Sequence, residues 1–231
     1  MRRTQFVNGE FYHVYNRGVE KRDIFIDEQD YFRAIHALYV FNDTNSHLHL
    51  AREIVRGPTS TISRETKPPQ RDLLVDIIAY CLMPNHYHLF LQQRQKDGIA
   101  KFMQKLGTGY TMYFNKRYER SGVLFQGKFK SILVNKEKYF LTLLNYMHLN
   151  PVDLIQSDWK EEGIKNWQKV HKFLEEYRWS SYRDYIGIKN FPSVINNKPS
   201  IGYFPKSGEY KNYVIEWLRR DIQPIENLTL E

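Results

Sequence analysis

A single cysteine, Cys81, stands in a chain of 231 residues. That scarcity excludes an intrachain disulfide and a cysteine zinc cluster, and it fits a reducing compartment. Long apolar runs are also missing. No stretch approaches the roughly 18 apolar residues that a membrane-spanning helix needs. The opening MRRTQFVNGEFYHVYNRG has no apolar signal core, so a cytoplasmic location is expected rather than export. Internal repeats and low-complexity tracts are absent. The hydrophobic fraction of 42% is that of a globular protein, and the length suits one large domain or one domain with extensions.

Net charge is +8, and its location matters more than its size. Between Arg94 and Lys138 the chain carries 11 Lys and Arg against 3 Asp and Glu, so the rest of the chain is neutral. Two readings are open: a solvated basic face, or a surface for a polyanion. The same segment holds Phe102, Tyr110, Tyr113, Phe114, Tyr118, Phe125 and Phe129. Aromatics among cations suit single-stranded nucleic acid, and the same aromatics at helical spacing suit a core stripe.

Periodicity orders the elements. GEFYHVYNRG alternates and reads as a strand ended by Gly18. DEQDYFRAIHALYVFND reads as a helix capped by Asp27, with Tyr31, Phe32, Ile35, Leu38 and Tyr39 inward. Residues 43–72 are polar and read as an extended loop, either a neutral surface loop or a contact for DNA or a partner. LLVDIIAYCLMP and HYHLFLQQ read as a hairpin turning near Pro84 and Asn85. A second helix follows, burying Phe102, Met103, Leu106, Tyr110 and Tyr113 and leaving Lys101, Lys105 and Lys116 off that stripe. RSGVLFQG reads as a loop and KFKSILVN as a fourth strand. KEKYFLTLLNYMHLNPV reads as a third helix stopped by Pro151. This order predicts an α+β, ferredoxin-like four-stranded antiparallel sheet with helices on one face, plus an added helix and a C-terminal helical extension. Trp159, Trp167, Trp179 and Trp217 fall in that extension, where packing over the core and holding DNA are both open.

His86 and His88 share one face of their strand, because residues two apart point the same way. Two imidazoles so placed can converge on a divalent ion, or they can be core histidines. Tyr146 and Asn150 are four apart and share one face of the third helix. A helical tyrosine is ordinarily a packing residue; its phenol becomes a nucleophile when a metal polarises a phosphate electrophile. His13 shares a strand face with Tyr15 and Arg17 and reads as a hydrogen-bonded structural histidine. His148 falls about 200° around the helix from Tyr146 and is expected to point away. Tyr139 is the rival hydroxyl on that helix and reads as a packing residue.

MPNHYHLFLQ resembles the HUH motif of single-tyrosine transposases, and LLNYMHLNPV resembles their tyrosine helix. YHVYNRGVEKRDIF, GVLFQGKFKSILV and YRWSSYRDYIG match further landmarks in order, over about residues 5–190, and the branch resembled is the REP-associated tyrosine transposases. The resemblance implies that Tyr146 attacks a phosphodiester of single-stranded, hairpin-forming DNA, leaving a 5′-phosphotyrosine and a free 3′-hydroxyl. It implies Mg²⁺ or Mn²⁺ held by His86, His88 and Asn150, although relatives outside this branch carry glutamine in place of Asn150. It implies no nucleotide cofactor, because the covalent bond stores the phosphodiester energy, and either a monomer or a homodimer. Asn16, Arg17, Lys101, Lys105, Lys116, Arg117, Lys128 and Lys130 are the candidate DNA contacts. The chain then divides into a transposase domain, 1–155, containing the 43–72 insert, and an extension, 156–231, packed on or next to it. The competing reading is a domesticated hairpin-DNA-binding protein that no longer transposes; a metal hydrolase with a merely structural Tyr146 is a third.

Overall fold

The computed structural model describes residues 5–44, 71–204 and 207–219. Most of the 43–72 insert therefore lies outside the described residues. Strand β1 (Phe11–Arg17) leads to helix α1 (Glu28–Phe41), which starts where the Asp27 side chain accepts the Asp30 backbone N–H. Strands β2 (Val75–Met83) and β3 (His86–Gln93) form the expected hairpin around Pro84 and Asn85. Helix α2 (Gly98–Arg117), strand β4 (Lys130–Val134) and helix α3 (Glu137–Leu149) complete the series. The sheet order is β2-β3-β1-β4, antiparallel throughout, which is the ferredoxin-like arrangement.

Both faces of the sheet are covered. Tyr87, Leu89 and Leu91 of β3 join Tyr12 and Val14 of β1 in a core closed by α1 and α2. Phe90, the next residue in phase with His86 and His88, belongs to a second core closed by Phe140, Leu143, Leu144 and Met147 of α3. A β-bulge lies between Ile77 and Ala79, so Ile77 faces the first core while Ile78 and Ala79 both face the second.

The α-helical ladder of α3 ends at Leu149, just ahead of Pro151 as expected, but the chain does not leave the helical path. It tightens at Asn150 into a 3-10 turn, Asn150–Leu154, with Pro151 in its first positions. Proline has no N–H to give the α-ladder, but the first turn of a new helical segment needs none there.

Beyond it come α4 (Trp159–Glu162), α5 (Trp167–Glu176), α6 (Tyr182–Tyr185), α7 (Lys198–Ile201) and α8 (Ser207–Arg219). This region docks along the outer edge of β2. Leu82 donates its N–H to the Trp179 carbonyl (2.9 Å), Ser181 donates to the Tyr80 carbonyl (3.0 Å), and Asn196 donates to the Ile77 carbonyl (2.7 Å). The tryptophans pack: Trp179 stacks on Tyr31, and Trp159 is buried in the second core. Among the described residues no helix is long and apolar enough to cross a membrane.

Gly98 opens α2 against the backbone that precedes β2. A Cβ there would lie 2.2 Å from the Leu74 carbonyl oxygen, whereas one at Gly107, in the middle of the same helix, meets nothing within 4 Å. Gly98→Ala is therefore expected to cost about 1–3 kcal/mol of stability in urea unfolding. Gly107→Ala is expected to add up to about 1 kcal/mol, from helix propensity. A neutral Gly98→Ala would mean that α2 is free to lift away from Leu74.

Candidate active site

The second face of the sheet carries the polar residues. Register sets them in rows: Arg17 opposite His86, then Tyr15 opposite His88, with Lys130 of β4 opposite Tyr15. Directly opposed residues of an antiparallel pair project from the same face. Helix α3 lies over this face and lowers Tyr146 onto it. The Tyr146 ring meets the His88 ring edge-on, with centroids 5.6 Å apart at 88°. Tyr146 is 3% exposed and Asn150 1%. Asn150 keeps helical angles (φ −49, ψ −39), so the four-residue spacing that aligns it with Tyr146 survives the change to a 3-10 turn.

The imidazole nitrogens can be accounted for singly. His86 Nδ1 lies 2.6 Å from Asn85 Oδ1. An amide oxygen only accepts, so Nδ1 carries the proton and Nε2 a lone pair. His88 Nδ1 lies 2.8 Å from His13 Nε2. His88 Nε2, His13 Nδ1 and Asn150 Nδ2 are buried with no hydrogen-bond partner in the protein. Such orphaned polar atoms are costly, and His88 Nε2, on the imidazole that Tyr146 meets, is open to a ligand. If His88 Nδ1–H donates to His13, His88 Nε2 presents a lone pair. Turning the Asn150 amide presents its oxygen instead of its nitrogen. Two imidazole nitrogens and an amide oxygen are a donor set that suits a divalent cation, so the residues fit the implied metal. Among the described residues no three His, Cys, Asp or Glu side chains are grouped to hold a metal ion.

Burial keeps these rings neutral. It holds His13 down to about 3 and His88 well below the usual imidazole range, where His86, His13 and Lys160 depress it further. His86 is brought to about 4 by burial, then by the charges of Arg17 and Lys160. Lys160 is a residue that sequence reasoning missed. It sits on α4, with Nζ 5.7 Å from the Tyr146 ring centroid and 3.0 Å from Asp153 Oδ2. Nothing in its local sequence marks it; only the fold brings it here. The His13 contact was legible in part, through its alternation with Tyr15.

Not all of the proposed DNA contacts gather at this face. Arg17 and Lys130 do, and Lys130 Nζ lies 6.0 Å from the Tyr15 ring centroid. Asn16 points the other way and donates to the Gly127 carbonyl at 3.2 Å, steadying the loop before β4 that carries the exposed Lys128. Lys101, Lys105, Lys116 and Arg117 ride on α2, the layer covering the opposite face. Arg117 is already paired with Asp27 (2.5 Å) and Asp30 (2.6 Å), and Lys105 donates to the Asp43 carbonyl. His148 turns away from the site, as its helical angle requires, and bonds Tyr210 and Ser181. Tyr139 packs against the second core, and burial pushes its phenol up to about 12.

Residues 40–150 match the family model described as "Transposase IS200 like". That span includes β2, β3, α2, β4 and α3, and hence His86, His88, Tyr146 and Asn150. Over that span the chain is similar to the IS200-like transposases, the wider family that its sequence motifs resemble. One similar solved structure is described as "Structure of the REP associates tyrosine transposase bound to a REP hairpin". It is 13% identical, with a TM-score of 0.48 over 85% of this chain and 90% of that one. No curated protein matches the chain.

Three buried histidines and the half-buried His86 make a pH dependence. His13, His86, His88 and His148 all titrate lower in the folded chain than the free value near 6.5. The unfolded chain binds more protons between those limits, so stability is full above about pH 7 and falls as pH drops through 6 and 5. Each histidine contributes about 1.4 kcal/mol between pH 7.5 and 5.5, or about 5.5 kcal/mol for four. Urea midpoints with chelator present should show this loss. A flat profile would mean that the rings take up protons inside the fold.

Proposed function

We propose that the protein is a metal-dependent single-stranded DNA endonuclease and strand transferase, with Tyr146 as nucleophile and hairpin-forming DNA as substrate. The observation that carries this reading is the meeting of a buried helical tyrosine with a histidine pair whose inward nitrogen has no protein partner. A packing tyrosine does not need an orphaned imidazole nitrogen on the ring it meets.

His86 Nε2, His88 Nε2 and the Asn150 amide oxygen would hold Mg²⁺ or Mn²⁺. The ion supplies polarisation of the scissile phosphate and neutralises its charge. The chain's own residues do the rest. Asn85 and His13 fix the orientation of the two imidazoles from behind, each through an Nδ1 contact. Arg17 and Lys130 hold the neighbouring phosphates by charge. Helix α3 fixes the Tyr146 phenol beside the phosphorus, so attack costs little further ordering. The Tyr146 oxygen–phosphorus bond forms and the phosphorus–O3′ bond breaks. The phenolic proton passes to solvent and the leaving oxygen takes one up. The product is a 5′-phosphotyrosine with a free 3′-hydroxyl, and the stored bond lets a second 3′-hydroxyl rejoin the strand without a nucleotide cofactor. Such a protein acts in the cytoplasm, as a monomer or a homodimer. In the domesticated-binder reading the hairpin binds and no covalent species forms.

The test is incubation of the full chain with hairpin single-stranded DNA and Mn²⁺, followed by a denaturing gel. A covalent adduct is expected from the unaltered protein and none from Tyr146→Phe. Adduct surviving in Tyr146→Phe would remove the assigned nucleophile; tight binding without adduct would establish the binder. His13→Ala is expected to weaken Mn²⁺ binding by about 10–100-fold in calorimetry, through loss of the group that orients His88. Unchanged Mn²⁺ affinity would free His13 of that role.

A further inference from the structure

We propose that Lys160 binds the scissile phosphodiester, as a catalytic cation supplied by the C-terminal segment. The proposal rests on the strand-transfer reading above and extends it to a residue outside the matched family segment.

Three observations carry it. Lys160 reaches the same small volume as the histidine pair and Tyr146: its Nζ is 5.7 Å from the Tyr146 ring centroid, and its charge acts on both His86 and His88. It is held there. Asp153, on the 3-10 turn that continues the tyrosine helix, takes the Lys160 ammonium at 3.0 Å on one oxygen and the Trp159 indole N–H at 2.6 Å on the other. Trp159 is buried in the second core, so its neighbour on α4 starts from a fixed point. Nearby Lys165 shows the contrast: its side chain is 57% exposed and it pairs with Asp158 and Glu162 on the surface.

An ammonium has three N–H donors. One on Asp153 leaves two, on an ammonium that lies 5.7 Å from the centroids of both the Tyr146 and the Trp159 rings. During attack the phosphorus gains a fifth oxygen and negative charge builds on its non-bridging oxygens. A fixed cation within contact of those oxygens stabilises the transition state more than the ground state. Lys160 gives and takes no proton in this step; the protons exchange with solvent as described above. Asp153 keeps the ammonium aimed before DNA arrives, so little is reorganised on binding.

Two measurements on the full chain test this. In the first, a labelled single-stranded hairpin is titrated at several salt concentrations against protein carrying Tyr146→Phe, so that no cleavage intervenes. Adding Lys160→Gln should reduce the slope of log affinity against log salt by about 0.7, the value of one phosphate contact on a single strand. Lys160→Arg should restore the slope, and Lys165→Gln should leave it unchanged. Asp153→Asn keeps the ammonium and should also keep the slope. If Lys160 served only the ion pair, Asp153→Asn would instead behave like Lys160→Gln. In the second measurement Tyr146 is intact and adduct formation with Mn²⁺ is timed. Lys160→Gln should slow it by about 10²–10³-fold, with Lys160→Arg within about tenfold of the unaltered protein. An unchanged slope, or an unchanged adduct rate, overturns the proposal. If the unaltered protein forms no adduct while the slope falls in Lys160→Gln, strand transfer fails as a reading and the phosphate contact at Lys160 stands.

Discussion

Strand β3 is buried on both faces, and its two-residue period divides the molecule. Tyr87, Leu89 and Leu91 anchor one core under α1 and α2, while Phe90 anchors another under α3. His86 and His88 are in phase with Phe90, so the layer that receives the tyrosine helix is also the layer that receives the imidazoles. A one-residue slip in this strand would exchange the two sets. The apolar demand of both cores therefore fixes where the histidines point, before any metal or substrate is considered.

Much of this was legible because it is periodic. The strand and helix order, the Asp27 cap, the hairpin at Pro84 and Asn85, and the shared faces of His86 with His88 and Tyr146 with Asn150 follow from local spacing alone. What local spacing cannot carry is which face a neighbouring element covers. The lysines of α2 lie in the basic segment, yet that helix backs the other side of the sheet from the histidines, and Arg117 is spent on Asp27 and Asp30. Pro151 ends the α-helix as read, but the 3-10 turn that follows needs no donor from it and carries Asn150 on in register. Lys160 was invisible because its place depends on a long-range fit: Trp159 entering the second core and Asp153 turning to meet both residues.

The C-terminal segment has two physical roles. It caps the backbone of β2, whose outer N–H and C=O groups would otherwise form an open edge. It also closes the second core over α3 through Trp159, Val170, Leu174, Tyr182, Tyr210 and Val214. The buried His148–Tyr210 and His148–Ser181 hydrogen bonds tie α3 to that layer from the side away from the site. Helix α3 is thus clamped between sheet and extension, and the Tyr146 side chain is held with it.

The bulge at Ile78 gives β2 two halves of opposite phase. Before it, Ile77 looks into the first core; after it, Tyr80 and Leu82 do, while Cys81 and Met83 stand opposite His88 and His86. The strand can therefore lengthen or shorten by one residue only at that point, where a residue already stands unpaired. Between Ala79 and Leu82, a single insertion or deletion would break the alternation that sends Tyr80 and Leu82 into their core and sets Cys81 and Met83 opposite the histidines. In evolutionary terms, Ile78 is the hinge at which the length of this strand is negotiable, and the five residues that follow it are a block that must travel together.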